Sequence, residues 1–287
     1  TIPEDSFSHT FNNLPSGAHG FQVRACNFFG CADNWSPTTT TNVVVTPSRP
    51  ASITVPTSTT SKTLPISWSA STGAVKEYQL EVRKNNGAFE EAYTGPLTST
   101  TFSLTEGTFD FKVRACDVHG TQKACSDWRW SSPLSASKPS ATPTINVPTS
   151  DADGNYSVSW NAVARASTYM LHERVGQGTW VPKTPKNALS ETINNKTNNT
   201  YSYRVEACND FGCTAPSAAK SITVAIPPSA PTGIRFASSN GWGSEHTVSW
   251  NASTGELAGY VLERKQGTSQ SGWTRVYAGA TPSKAFA

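Results

Sequence analysis

A cysteine-bearing motif returns three times along the chain: FQVRACNFFGC ending at Cys31, FKVRACDVHGTQKAC ending at Cys125, and YRVEACNDFGC ending at Cys213. By subtraction its first cysteines, Cys26, Cys116 and Cys208, lie 90 and 92 residues apart, so one structural unit of that size is being copied. A second marker keeps the same interval in another phase. PISWSAS, SVSWNAV and TVSWNAS place Trp68, Trp160 and Trp250 at spacings of 92 and 90. Each is followed by Tyr78, Tyr169 or Tyr260, which opens YQLEVR, YMLHER or YVLERK. Apolar and polar residues alternate one by one in these segments, which fits half-buried strands, and no stretch sustains a helical period. The chain reads as all-β.

Composition narrows the class. With 15% charged residues, 36% hydrophobic residues and nine Trp, the chain can fill several small cores but not one large one. A formal charge of +3, dispersed over short pairs such as Arg83-Lys84, excludes nucleic acid as the expected partner. No apolar run of about 18 residues occurs, so membrane insertion by a helix is not expected. No secretory leader is visible either, but Thr1 already lies inside a repeat, so a parent protein's N-terminus is not read from it.

In each complete repeat a proline-rich lead-in precedes the Trp strand, followed by the Tyr strand, a glycine-containing turn, a further strand and the cysteine hairpin. Seven short strands in roughly that length mark an immunoglobulin-like sandwich. The order resembles the fibronectin type III domain: Trp68, Trp160 and Trp250 match the buried Trp of that family's second strand, and Tyr78, Tyr169 and Tyr260 the Tyr of its third. In LTEGTFDFKVRAC, Leu104, Gly107, Phe111 and Val113 match its turn into the sixth strand. The resemblance covers essentially the whole chain. It implies tandem sandwiches: the trailing part of one domain over 1–47, complete domains over 48–138 and 139–226, and the leading part of another over 227–287.

Two departures from the family pattern stand out. The Tyr that ties down the turn before the sixth strand is Tyr201 here, with Phe109 and His19 at the equivalent places, so that hydrogen bond is expected at Tyr201 alone. The paired cysteines are an addition, and RACN followed by GC resembles the type III repeats of large secreted bacterial proteins. Linkers are short and carry prolines, as in TNVVVTPSRPASITV, which favours a semi-rigid rod over flexibly strung beads.

The six cysteines fall as three local pairs, Cys26 with Cys31, Cys116 with Cys125 and Cys208 with Cys213. Such spacings across one turn allow a bridge between Cα atoms about 5.5 Å apart. A zinc site would need Cys-x-x-Cys or neighbouring His, and neither is present. Disulfides imply an oxidising compartment, outside the cell or at its surface.

Nothing convergent suggests catalysis, a metal or a cofactor. His9, His19, His119, His172 and His246 never recur in phase, and no nucleophile elbow, zinc-protease helix or phosphate loop occurs. Glu90-Glu91 and Asp151 with Asp153 read as solvated turn residues rather than as a glycosidase pair. Trp35, Trp128 and Trp130, which follow the cysteine hairpins, and Trp180, Trp242 and Trp273, near turns, are the candidate binding aromatics. Stacking on Arg24 or Arg114, or covering a domain junction, is preferred for them over glycan binding, because they do not recur in phase. Asn34, Asn155, Asn195, Asn198 and Asn251 head Asn-x-Ser/Thr triplets, whose use depends on the host.

Phe11, Phe102 and Phe286 share one phase of the repeat, so the chain starts and stops near the same strand. The first segment then offers the last strands of a sandwich, with Leu14, Phe21 and Val23. The last offers the first strands, with Val248, Trp250, Tyr260 and Leu262. Flanking repeats of a longer chain could complete them, or the tail of one molecule could complete the head of the next. The sequence thus points to a non-catalytic extracellular spacer, stalk or fibre. The alternative is a carbohydrate- or protein-binding accessory module of a secreted enzyme, toxin or adhesin.

Overall fold

A computed structural model describes residues 7–238, 246–267 and 272–286. These are strands, turns and connections, with no helix among the described residues. Contacts divide the chain into two compact units: Thr1–Ser140 with Ala164–Ser167 and Cys208–Thr214, and Ala141–Val163 with Thr168–Ala207 and Ala215–Ala287.

The first unit opens with β1 (Gly17–Phe21), β2 (Cys26–Asn27), β3 (Gly30–Cys31) and β4 (Thr39–Val43). β1 lies antiparallel to β4, with Gly17 opposite Val43, and β2 pairs with β3. The sandwich that follows uses β5 (Ile53–Thr54), β6 (Ser58–Thr59), β7 (Thr63–Trp68), β8 (Glu77–Lys84), β9 (Glu90–Gly95), β10 (Ser99–Ser103), β11 (Gly107–His119), β12 (Gln122–Cys125), β13 (Arg129–Trp130) and β14 (Leu134–Ala136). One sheet runs β10-β7-β5 and the other β6-β14-β11-β8-β9, with β12 and β13 also on β11. Alternation decides which side chains meet between them: Leu64, Ile66 and Trp68 of β7, Tyr78, Leu80 and Val82 of β8, and Phe109, Phe111, Val113 and Ala115 of β11 are all buried. Each large apolar side chain so placed is worth ~1.5–3 kcal/mol. Asn85 and Asn86, at φ 50° and 61°, make the left-handed turn from β8 to β9 that few other non-glycine residues accept. Glu90 and Glu91, read from sequence as turn residues, instead open strand β9, where the alternating stretch after Gly87 resumes pairing with β8.

The plan is repeated by β15 (Ile145–Asn146), β16 (Ser150–Asp151), β17 (Tyr156–Trp160), β18 (Thr168–Val175), β19 (Val181–Pro182), β20 (Ser190–Ile193), β21 (Asn199–Asn209), β22 (Gly212–Cys213) and β23 (Lys220–Val224), of which β22 and the last two residues of β21 fall in the first unit and the rest in the second. The sheets run β15-β17-β20 and β16-β23-β21-β18-β19, β22 pairing with the end of β21. β24 (Thr232–Ser238), β25 (His246–Asn251), β26 (Tyr260–Arg264), β27 (Thr274–Gly279) and β28 (Ser283–Phe286) follow. They form a β24-β25-β28 sheet and a β26-β27 pair. The molecule is thus all-β, built of immunoglobulin-like sandwich layers.

The repeated Trp and Tyr do the same work each time. Trp68, Trp160 and Trp250 are buried, with ring centroids 5.8, 6.0 and 5.3 Å from Tyr78, Tyr169 and Tyr260. The three phenols accept the backbone N–H of Ser71, Val163 and Ser253, at 2.9, 2.8 and 2.9 Å. Each of those donors lies in the loop that leaves the Trp strand. The turn before the sixth strand is tied as expected by Tyr201, whose hydroxyl donates to Thr197 O at 3.1 Å. Unlike the expectation, His19 makes the equivalent bond: its Nε2–H reaches Pro15 O at 2.8 Å. An imidazole N–H and a phenol O–H both reach a carbonyl four residues back, and Phe109 has no donor with which to do so.

Candidate functional site

The cysteine hairpins are the first candidate. Cys26–Cys31, Cys116–Cys125 and Cys208–Cys213 are joined as disulfides, and no cysteine is free. Their Cα atoms lie 3.8, 4.1 and 4.0 Å apart, closer than the 5.5 Å or so that was expected. The reason is register: each pair sits directly opposite across antiparallel strands, at the narrow site where ladder hydrogen bonds fall on the flanking residues. Ala32 N–H to Ala25 O and Ser126 N–H to Ala115 O are those flanking bonds.

Within the first unit the hairpin tips reach beyond their own strands. Asp117, fully buried, accepts the Ser16 hydroxyl at 2.6 Å and the Val45 N–H at 2.8 Å. Burial alone would raise its pKa, but these two hydrogen bonds and the nearby His119 and Lys76 charges outweigh that and hold it below the usual carboxylate value. One motif later the same position is Asn209, whose side-chain amide donates to Ser137 O at 2.9 Å and Arg165 O at 3.0 Å. Next to it, Asp210 N–H donates to Thr60 O and Asp210 Oδ2 accepts the Lys62 N–H, both at 3.2 Å. Phe211 packs against the Leu64–Phe111 core cluster. The sequence showed the motif but not this docking, because the receiving residues are distant in the chain.

Ser16, His119 and Asp117 form a constellation that invites a catalytic reading. The geometry does not support it. Ser16 Oγ donates to Asp117, and the one nitrogen, His119 Nε2, faces both Ser16 at 2.9 Å and Asp117 at 3.4 Å. A nucleophile relay needs the base to contact its orienting carboxylate through its other nitrogen. The remaining histidines meet unrelated partners: His9 packs on Phe11, His172 faces Glu206 and His246 stacks on Phe236.

The aromatics are the second candidate, and each described one carries a cation. Arg24 lies 4.6 Å over Trp35, Arg114 4.3 Å over Trp128 and Arg204 4.5 Å over Trp180. Arg24 and Arg114 are the same residue of the motif, 90 apart by subtraction, whereas Arg204 stands two residues earlier in it, at the place of Gln22 and Lys112. Their Trp partners come from different places, after the hairpin in two repeats and from the segment before β19 in the third. Phe89, unnoticed in sequence, joins the layer between Lys112 at 4.0 Å and Arg83 at 4.9 Å, edge-on to Trp130 at 5.2 Å. Lys265 covers Trp273 at 4.8 Å. Trp242 lies outside the described residues.

The third candidate is a pair of unfilled surfaces, one in each unit. In β11 and β21 the motif's alternate residues, Phe111, Val113 and Ala115 or Tyr203, Val205 and Ala207, are fully buried. In the head the same residues are uncovered: Val23 is 65% exposed, Ala25 exposed and Phe21 half-buried. The tail has the converse. Ile234, Phe236, Val248, Leu262, Val276 and Phe286 line an open groove between β24-β25-β28 and β26-β27, where no strand of the motif type lies among the described residues.

No protein-family model matches the chain, and no curated protein matches it. Among solved structures it is similar to a crystal structure of chicken CNTN1 FN1-FN3 domains, 16% identical over 84% of this chain and 88% of that chain, with a TM-score of 0.31. No helix among the described residues is long and apolar enough to cross a membrane. The three disulfides fit an oxidising environment.

Proposed function

We propose that the chain is a non-catalytic structural array of fibronectin type III-like domains, divided near residues 47, 138 and 226, serving as an extracellular or surface spacer, stalk or fibre. Its cysteine hairpins resemble those in the type III repeats of large secreted bacterial proteins, and that resemblance supports the reading. The observation that carries the reading is the complementarity of head and tail: half-buried Phe21 and exposed Val23 and Ala25 match the residues that fill the two closed sandwiches, and the groove beside Phe236 and Leu262 holds no such strand among the described residues. A tail groove that receives the head strand of a second copy gives a contact that does not close on itself and grows linearly. Flanking repeats of a longer chain are the competing occupant.

Sedimentation of the full chain, with electron microscopy for filaments, tests this. Concentration-dependent association of wild type, abolished by Val23→Asp, is the expected result. Val23 is exposed, so the substitution leaves the closed sandwiches intact. A wild-type chain that stays monomeric returns the ends to flanking repeats. The accessory-module reading rests on Trp35, Trp130 and Trp273, which stay about half exposed beside their cations; quenching of their fluorescence by oligosaccharides would favour it.

A further inference from the structure

The hairpin at Cys26–Cys31 repeats, almost letter for letter, one that is already seated. Ala-Cys-Asn-Phe-Phe-Gly-Cys at 25–31 differs from Ala-Cys-Asn-Asp-Phe-Gly-Cys at 207–213 only in Phe28 for Asp210. Both tips take the same local shape, since Phe29 N–H donates to Asn27 Oδ1 and Phe211 N–H to Asn209 Oδ1, each at 2.9 Å. Their surroundings differ completely. Phe211 packs on the core cluster of the 48–138 sandwich and Asn209 binds Ser137 O, whereas Phe28 and Phe29 are 98% and 99% exposed.

We infer that the Asn27–Phe29 tip is a docking surface for the trailing end of the 139–226 sandwich of a second copy, seated there as Asn209–Phe211 is seated on residues 60–62 and 137. This rests on the head-to-tail reading above and adds to it a contact outside the shared sandwich. Strand register identifies the counterparts. β16 pairs with β23 as β6 pairs with β14, so Ala152 corresponds to Thr60, Gly154 to Lys62 and Ala225 to Ser137. Ala152 and Ala225 are exposed, leaving carbonyls for the hairpin backbone and the Asn27 amide.

The one difference between the hairpins matches a difference between the two ends. Asp210 accepts the Lys62 N–H, but the corresponding Gly154 N–H is already donated to Asp151 Oδ1 at 2.5 Å. An aspartate at position 28 would find no donor there and would face Asp151 and Asp153. A phenylalanine needs no donor and carries no charge, so it suits that acidic turn while burying its ring.

The test uses the full chain. Phe29→Ala is expected to weaken self-association about tenfold or more, as truncation of a central aromatic anchor does. A photo-reactive benzophenone side chain at position 28 is expected to cross-link to the peptide holding Ala152 to Gly154 or to that holding Ala225. Association of Phe29→Ala equal to wild type, or a cross-link elsewhere, overturns the docking surface while head-to-tail completion stands. A monomeric wild type overturns both.

Discussion

Tyr203 donates its phenolic proton to Glu173 at 2.7 Å, at two places where the preceding sandwich has Phe111 and Val82. The exchange is concerted. Tyr156, at the place of Leu64, shares a 2.9 Å hydrogen bond with Tyr203, while Lys196 Nζ donates to Glu173 at 2.7 Å and Lys183 lies 3.6 Å away. A carboxylate half inside a sandwich is tolerated because each oxygen has a donor. Tyr203→Phe removes one of them and is expected to cost about 1.5–3 kcal/mol in urea unfolding.

The same network predicts opposite pH limits. Burial would raise the Glu173 pKa, but the hydrogen bonds from Lys196 and Tyr203 and the lysine charges hold it below its ordinary value of 4.5. Its contribution is therefore complete above the unfolded value and is lost as pH falls through the folded one. Burial pushes the Tyr156 phenol up from 10.0 to about 12 against the Tyr203 hydrogen bond, with Glu173 adding to the rise. That contribution is complete below pH 10.0 and is lost as pH rises toward about 12. Urea midpoints measured across pH should fall at both ends, and Glu173→Gln should flatten the acid limb.

The core markers give a graded prediction. Trp160→Ala is expected to cost about 3–5 kcal/mol, the usual result of deleting a large buried ring. Tyr169→Phe keeps the ring against Trp160 and loses only the bond from Val163 N–H, so about 1 kcal/mol is expected. Unfolding followed by tryptophan fluorescence separates the two; equal costs would contradict the division between packing and hydrogen bond.

These core pairs were legible because period, alternation and side-chain size all act locally along a strand. The residues read less well are those whose partner is chosen by the fold. His19 replacing Tyr201 in its turn bond could be found only from the distance to Pro15. Phe89 carried no repeat signal, and Trp180 reaches Arg204 from a different segment than the one that supplies Trp35 and Trp128. Asp117 and Asn209 share a motif position but meet partners that no spacing could indicate.

The cation layer should resist deletion weakly and locally. Trp180→Ala removes a ring stacked on both Arg174 at 4.8 Å and Arg204 at 4.5 Å. The expected cost is about 0.5–2 kcal/mol, and Arg204→Ala in the Trp180→Ala background should add less than it does alone. A double-mutant cycle with full additivity would remove the stack as a stabilising element.

Asp117 provides the test of the hairpin tip as a clamp within the first unit. It is fully buried and holds Ser16 and Val45, residues that precede β5 in the chain. Asp117→Ala leaves both donors without their acceptor, which costs about 1–3 kcal/mol where water cannot replace it. The Val45 amide should then exchange with solvent faster, while amides of β7 and β8 keep their protection. Because the Asp117 pKa is depressed below 3.8, the clamp is complete above that value and loosens as pH falls through the folded one. Hydrogen exchange at Val45 in wild type should accelerate with acid beyond the intrinsic trend, and should lose that excess in Asp117→Ala. Unchanged Val45 protection in the variant would show that the tip merely rests against the head.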